Sequence, residues 1–412
     1  VREECKDHIR DLYYLVDTNL AVNRVESTTE TIKSDNIEFL IAFSHILMNL
    51  QDCADNAHYN LFGASINVED DFTIETNFSD DFMKMVDSRN IRIYENIDYK
   101  PSLPNDNEMF NKSLQAFYKD TGVHLKCIIQ ICQYLSREFS AVFKEQSIPD
   151  VYVIKKQDLI SDYESILIDQ SDETKLNHLN ALEYLIVDKS KIKQINGSIN
   201  EFVPVWEREK RDNRFEVKPI VEDGEYLIFA PSIMYELSQL WLNGTFEFYP
   251  PYEIGLTNYR KQLDKWKSLC ETQMEQDLFN LFNSYGYKTY KNLFLHKLDK
   301  KFGYPQDLGD YDVLAFDLDK KTIWNIESKF LGKVGSLKEY YNHQSSFFNN
   351  DKKDEKFYNR IKYLSEHKCE ILKSFGIENG SDFTIKDFMV TNKVFVSDVK
   401  DIEFAIEIGR AH

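Results

Sequence analysis

Asp312, Glu327 and Lys329 are residues whose types and spacing could do chemistry together. They lie in the run Gly309–Lys329 (GDYDVLAFDLDKKTIWNIESK), two apolar stretches joined by a polar turn. If Asp319 and Lys320 turn the chain, Leu318 faces Lys321 and facing residue numbers sum to 639, so Asp312 stands opposite Glu327. Opposed residues of an antiparallel pair have Cα atoms about 4.5–5.5 Å apart and side chains on one face. The two carboxylates then repel, and either a divalent cation or solvent must relieve them. Lys329 shares the face of Glu327, while Trp324, Ile326 and Phe330 point the other way. Hard oxygen ligands beside an ammonium suit Mg²⁺ or Mn²⁺ and the hydrolysis of a phosphodiester, which needs charge neutralised at phosphate and a water made nucleophilic.

A third acid precedes the hairpin. Glu275 falls with Leu278, Phe279 and Phe282 on an i, i+3, i+4, i+7 stripe, and a carboxylate on a buried stripe costs free energy unless something compensates it. Acid-x-Lys by itself selects nothing, because it recurs at Glu4–Lys6, Glu216–Lys218 and Glu366–Lys368. The plainer alternative is an edge hairpin with solvated acids, Lys329 pairing Glu327 and Glu275 exposed on a long helix.

The order of acid-bearing helix, strand, Asp strand, Glu-x-Lys strand and helix resembles the PD-(D/E)xK nuclease superfamily, with its restriction-endonuclease-like fold, over residues 257–412. That resemblance implies an αβββαβ core. In it Asp312, Glu327, the carbonyl of Ser328 and Glu275 would hold Mg²⁺ or Mn²⁺, and Lys329 would position or activate the attacking water. Gln344, in Gln344–Phe348 (QSSFF), matches the Gln-x-x-x-Tyr/Phe carried by some branches in the helix after the lysine. Tyr311 stands where the motif has proline. Asp310 competes with Asp312 but precedes the apolar part of the strand.

Positioning these residues requires particular elements. One helix or two run from Thr257, a candidate N-cap, to a stop at Gly286; a strand covers Tyr287–Leu295. After the hairpin, helices are expected over Leu337–Phe348 and Glu355–Phe375, the second ended by Gly376, and strands near Asp387–Val396 and Phe404–Ile408. Upstream, residues 37–55 and 121–147 have helical apolar spacing, and the acid-rich stretch 66–108 reads as exposed loops or short strands. The run EREKRDNR (207–214) reads as a linker or exposed helix end. Next come a hairpin turning at Asp223-Gly224, a strand through Tyr226–Phe229, a helix closed by Gly244, and a boundary at Pro250-Pro251. The fold class is α/β in the broad sense, α+β overall. Its expected parts are an acidic, mainly helical accessory or partner-docking region (1–206), a hairpin-helix connector (207–256) and the nuclease-like domain (257–412).

Composition bounds what these parts do. With 412 residues, 42% hydrophobic and 14% aromatic, the chain is expected to fold into two or three domains. Residues 1–250 hold 25 Lys+Arg against 44 Asp+Glu, whereas 251–412 hold 25 of each. A polyanion should avoid the first part and meet the second. The longest apolar stretch, Ile37–Leu50, is interrupted by Glu38, Ser44, His45 and Asn49, so neither a membrane segment nor a secretory leader is expected. Six cysteines without a Cys-x-x-Cys pair argue against structural zinc and for reduced thiols in a cytoplasmic protein. The expected function is a divalent-metal-dependent nuclease acting on DNA and regulated by its N-terminal region, and the family resemblance implies a prokaryotic defence or restriction effector. A homo-oligomer would let single-site chains cut both strands. The alternatives are a non-catalytic nuclease-fold scaffold binding a basic protein through the acidic region, and an RNA-processing nuclease.

Overall fold

The computed structural model describes residues 34–59, 61–70, 73–77, 101–140, 151–192, 194–195, 198–199, 213–251, 255–298, 304–306, 308–332, 341–342, 354–392 and 405–408. The fold is mixed, α+β overall. Two compact units interleave in sequence: Val1–Asp52 with Asn107–Asp264, and Cys53–Asp106 with Lys265–His412. The sequence had suggested contiguous parts meeting at 206 and 256. No described helix is long and apolar enough to cross a membrane.

In the first unit, helices Asp106–Thr121, Leu125–Ser140, Lys156–Ile166, Asp172–Leu185 and Pro231–Phe246 accompany a four-stranded sheet. Its strand order is Tyr152–Lys155, Tyr226–Phe229, Ile220–Asp223, Ile186–Val187. Local chemistry sets these boundaries. Ser171 caps its helix by accepting from Thr174 N at 3.2 Å, and Pro231 opens another at a position where the missing N–H is no loss. The stripe expected in 121–147 is buried at Leu125, Ile128, Cys132 and Leu135. The hairpin turns on Gly224-Glu225, with Asp223 paired to Tyr226, one residue later than expected.

Gly244 does not close its helix, which runs on to Phe246; a Cβ at Gly244 would lie 2.6 Å from the carbonyl oxygen of Tyr249, so glycine is needed for close approach of the chain. The described end of the run 207–214 is not an exposed linker either. Asn213 and Arg214 are buried, with Asn213 bonded to the Lys191 carbonyl (3.1 Å) and to Lys218 Nζ (2.6 Å).

The second unit is built on a five-stranded sheet: β1 (Lys288–Leu293), β2 (Tyr311–Asp317), β3 (Thr322–Lys329), β4 (Thr384–Thr391) and β5 (Ala405–Ile408), in the order β5-β4-β3-β2-β1. β1, β2 and β3 form an antiparallel meander; β4 and β5 then add in parallel, reached through crossovers. Helix α1 (Thr257–Ser284), a single helix, precedes the meander. Helices α2 (Asp354–Glu366) and α3 (Lys368–Ser374) lie between β3 and β4. The sequence had read α2 and α3 as one helix; the break comes at His367, which leaves helical geometry at φ −110°, ψ 17°. Strand alternation separates two faces. Trp324 meets Phe282 of α1 at 5.8 Å, while Leu314, Phe316 and Ile323 join Leu364, Ile371 and Leu372 of α2 and α3 in one core.

Helix ends follow the expected glycines. Gly286 takes φ +78°, Tyr287 N reaches back to Phe282 O (3.2 Å) and their rings meet at 5.9 Å; Gly376 at φ +73° repeats this with Ile377 N on Leu372 O (2.9 Å). Thr257 is the first helical residue of α1 rather than its cap. The carboxylate of Asp120 takes the Tyr259 N–H (2.8 Å) and the Asn258 amide (2.6 Å). Of the expected helix Leu337–Phe348 only Tyr341 and Asn342, both helical, are described, and most of the strand beyond Thr391 lies outside the described residues.

Candidate active site

The register of β2 and β3 follows from apolar alternation about a polar turn. Val313 faces Ile326 and Asp317 faces Thr322, so facing numbers sum to 639. The loop is wider than two residues: Leu318–Lys321 close it, with Lys320 N on Asp317 Oδ1 (2.9 Å) and Lys321 at φ +50°. Regular pairing stops at Val313, one pair short of Asp312 and Glu327. There the Asp312 side chain takes over from the ladder, its Oδ2 accepting the Ser328 N–H at 2.7 Å. In an extended strand a residue's N–H and C=O leave on the same side, so the Ser328 carbonyl faces the Asp312 side as well.

Glu327 is 5% exposed and its two oxygens are both engaged. Oε1 accepts from Lys329 Nζ at 2.5 Å; Oε2 accepts from Nη2 of Arg360 on α2. Arg360 is itself 5% exposed. Just past Lys329, the Asn392 side chain holds Leu331 by both its N–H (2.5 Å) and its carbonyl (3.2 Å), which fixes the strand end that carries the lysine.

Crowding of charge sets the electrostatics. Burial first, then the charge of Glu327, pushes the Asp312 carboxyl up to about 7, against the pull of Lys329 and the Ser328 N–H; Glu275 adds to the rise. Burial draws the Lys329 ammonium down, but Glu327 and Asp312 outweigh it and hold the group above its ordinary value, so it is charged at neutral pH. Glu275, half-buried, is likewise raised, first by burial and then by Asp310 and Glu271, while Lys291 and a hydrogen bond to Asn292 oppose.

Asp312, Glu327, Ser328 and Lys329 are thus brought together, and Glu275 comes within range of their charge from α1. Asp310 raises the Glu275 carboxyl, whereas Asp312 accepts the Ser328 N–H and feels the charge of Glu327. Gln344 lies outside the described residues. Among the described residues, no three of His, Cys, Asp or Glu stand together as a ready metal cage.

Arg360 was missed by the sequence reading, yet the signal was there. With Phe357, Ile361 and Leu364 it occupies the same i, i+3, i+4, i+7 pattern that singled out Glu275, a charge on a stripe that packs inward. No protein-family model matches the chain, and neither a curated protein nor a solved structure shows significant similarity to it.

Proposed function

We propose that the second unit is a divalent-metal-dependent nuclease that hydrolyses phosphodiester bonds of DNA, held in check by the acidic N-terminal region as a defence or restriction effector would be. The observation that carries this reading is the convergence of Asp312, Glu327 and Lys329 at one end of a mixed sheet, with Glu275 on the helix before it. The element order supports it too: helix, antiparallel meander, helices and parallel strand follow the αβββαβ order of the restriction-endonuclease-like core.

Fit to Mg²⁺ or Mn²⁺ rests on the donor set. Burial first, and neighbouring carboxylates after it, push both the Asp312 and the Glu275 carboxyls upward, and the Ser328 carbonyl faces the Asp312 side. These three would hold the ion, which when bound neutralises charge at the phosphate and acidifies a water. Lys329, kept charged, donates a hydrogen bond to a phosphate oxygen or to the attacking water and does not act as the base. Ser328 N–H and Asn392 fix the strand end that aims it.

A second reading, a nuclease-fold scaffold without turnover, draws on the ion pairs that already satisfy Glu327 and on the lack of a three-acid cage among the described residues. Incubation with supercoiled plasmid in Mg²⁺, Mn²⁺ or EDTA separates the two. Metal-dependent nicking should fall by about 10²–10³-fold in Lys329→Ala, which removes a preorganised charge, and should vanish in Asp312→Ala. No cleavage of plasmid or single-stranded RNA, with no Mn²⁺ bound by calorimetry, would establish the scaffold; cleavage of RNA alone would change the substrate.

A further inference from the structure

We infer that Glu327 is not a metal ligand but the link through which Arg360 positions Lys329, an assignment that rests on the nuclease reading above. The chain of contacts is direct: Arg360 Nη2 to Glu327 Oε2, then Glu327 Oε1 to Lys329 Nζ at 2.5 Å.

Arg360 is built into this place. Its Nη1 donates to the Leu308 carbonyl at 3.2 Å, and the guanidinium sits 5.9 Å from the Tyr311 ring and 5.6 Å from the Phe357 ring. Gly309, at φ +76°, makes room for it, since a Cβ there would come within 3.2 Å of Nη1. Tyr311 also donates its hydroxyl to the Arg360 main-chain carbonyl at 3.2 Å. One arginine therefore ties α2, the turn that leads into β2, and the end of β3.

This geometry disfavours a dication on Glu327. Both carboxylate oxygens already face a unit positive charge, and an ion bound there would stand beside both. Lys329, 35% exposed at its side chain, could swing away; Arg360, 6% exposed, could not without leaving a buried guanidinium unpaired. Asp312 differs, because the partner it holds is one neutral N–H. The ligand set then reduces to Asp312, Glu275 and the Ser328 carbonyl, and Glu327 becomes the orienting acid of the lysine, as outer groups commonly orient groups that act on substrate.

Mn²⁺ binding by the full-length protein, read from the loss of the free-ion electron paramagnetic resonance signal, tests the assignment without turnover. Asp312→Asn should weaken binding by about tenfold or more. Glu327→Gln should bind within about threefold of the wild type, far less than the loss expected of a ligand. Because Glu327→Gln leaves Arg360 without its anion, Glu327→Gln/Arg360→Met is measured beside it, with near-ultraviolet circular dichroism to report folding. In plasmid cleavage, Arg360→Met should lower kcat by about 10–100-fold with KM nearly unchanged, and Arg360→Lys should restore part of the loss. Equal loss of Mn²⁺ in Glu327→Gln, the double variant and Asp312→Asn would make Glu327 a ligand and overturn the inference alone. Arg360→Met with wild-type kcat would reduce the arginine to a structural ion pair and overturn it too. Wild-type protein that binds no Mn²⁺ would sink the nuclease reading and this inference together.

Discussion

In the first unit, three buried hydrogen bonds near Phe117 and Tyr163 join neutral groups: the Tyr259 hydroxyl with Thr245 (2.6 Å), the Tyr163 hydroxyl with His178 Nδ1 (2.6 Å), Ser113 with the Met109 carbonyl (3.0 Å). At the sheet end of the second unit, two carboxylates, an ammonium and a guanidinium crowd together. Burying a polar group with a neutral partner is close to balanced, whereas burying charges loses much of their attraction to desolvation. A molecule that needed only stability would have used the first solution twice. Charge retained where it is expensive, with a carboxyl moved to about 7, marks the second region as the place to look for chemistry.

The contrast is sharpest in pH, because the two regions respond with opposite sign. Asp312 ionises near 7 in the folded chain against an ordinary 3.8, so between these values the folded state keeps a proton that the unfolded state has lost. Its stabilising contribution is full below pH 3.8 and is lost as pH rises through about 7, a difference of up to about 4 kcal/mol. Asp312→Asn should therefore match the metal-free wild type near pH 4 and exceed it at pH 8. Hydrogen exchange in peptides of β2 and β3 measures this unit locally. Added Mg²⁺ or Mn²⁺ should protect the wild type at pH 8 and leave the variant unchanged. A variant less stable than wild type at pH 8 would show that the acid is paired well enough already, and the contrast would fail.

His178 moves the other way. Burial holds its imidazole below the ordinary 6.5, so it is neutral at pH 7 and the Tyr163 hydroxyl donates to Nδ1. Stability from this pair is present above pH 6.5 and is lost as pH falls, when only the unfolded state takes up the proton. Tyr163→Phe leaves Nδ1 buried without its donor, and should destabilise the first unit by about 1–3 kcal/mol at pH 8. Exchange protection of Leu125–Ser140 and Asp172–Leu185, compared at pH 8 and pH 5.5, reads both effects. If Tyr163→Phe left that protection unchanged, the neutral pair would contribute nothing and half of the comparison would be empty.

Much of the charged region was legible because its signals are local. Apolar alternation about a polar turn fixed the register of Val313 through Asp317, and glycine marked both helix ends at Gly286 and Gly376. Arg360 carries a signal as local as that of Glu275, a charge on the inward stripe of Phe357, Ile361 and Leu364. Other features leave no mark within a short window. That Cys53–Asp106 joins Lys265–His412 is a matter of contacts far apart in sequence, with Trp266 Nε1 donating to Asp106 at 2.9 Å. Gly244 looked like a stop because a glycine that ends a helix and one that admits a neighbouring chain are the same residue. The charged run before Phe215 looked solvated, since nothing near it announces that Lys191 and Lys218 will bind Asn213.

The smallest effect tests the neutral half of the comparison most cleanly. Thr245 Oγ1 donates to the Trp241 carbonyl at 2.6 Å, so the hydroxyl proton it receives at 2.6 Å comes from Tyr259. Tyr259→Phe removes that donor, keeps the ring against Phe117 at 5.4 Å, and orphans only one lone pair of an oxygen that is otherwise bonded. The loss should be about 0.5–1.5 kcal/mol. It should be equal at pH 5.5 and pH 8, because burial drives the Tyr259 phenol up and keeps it protonated throughout. Thermal unfolding at the two pH values measures it. A loss that changed with pH would mean that a titrating group feels this hydroxyl, and the interior around Phe117 would then share the electrostatic character assigned to the sheet end alone.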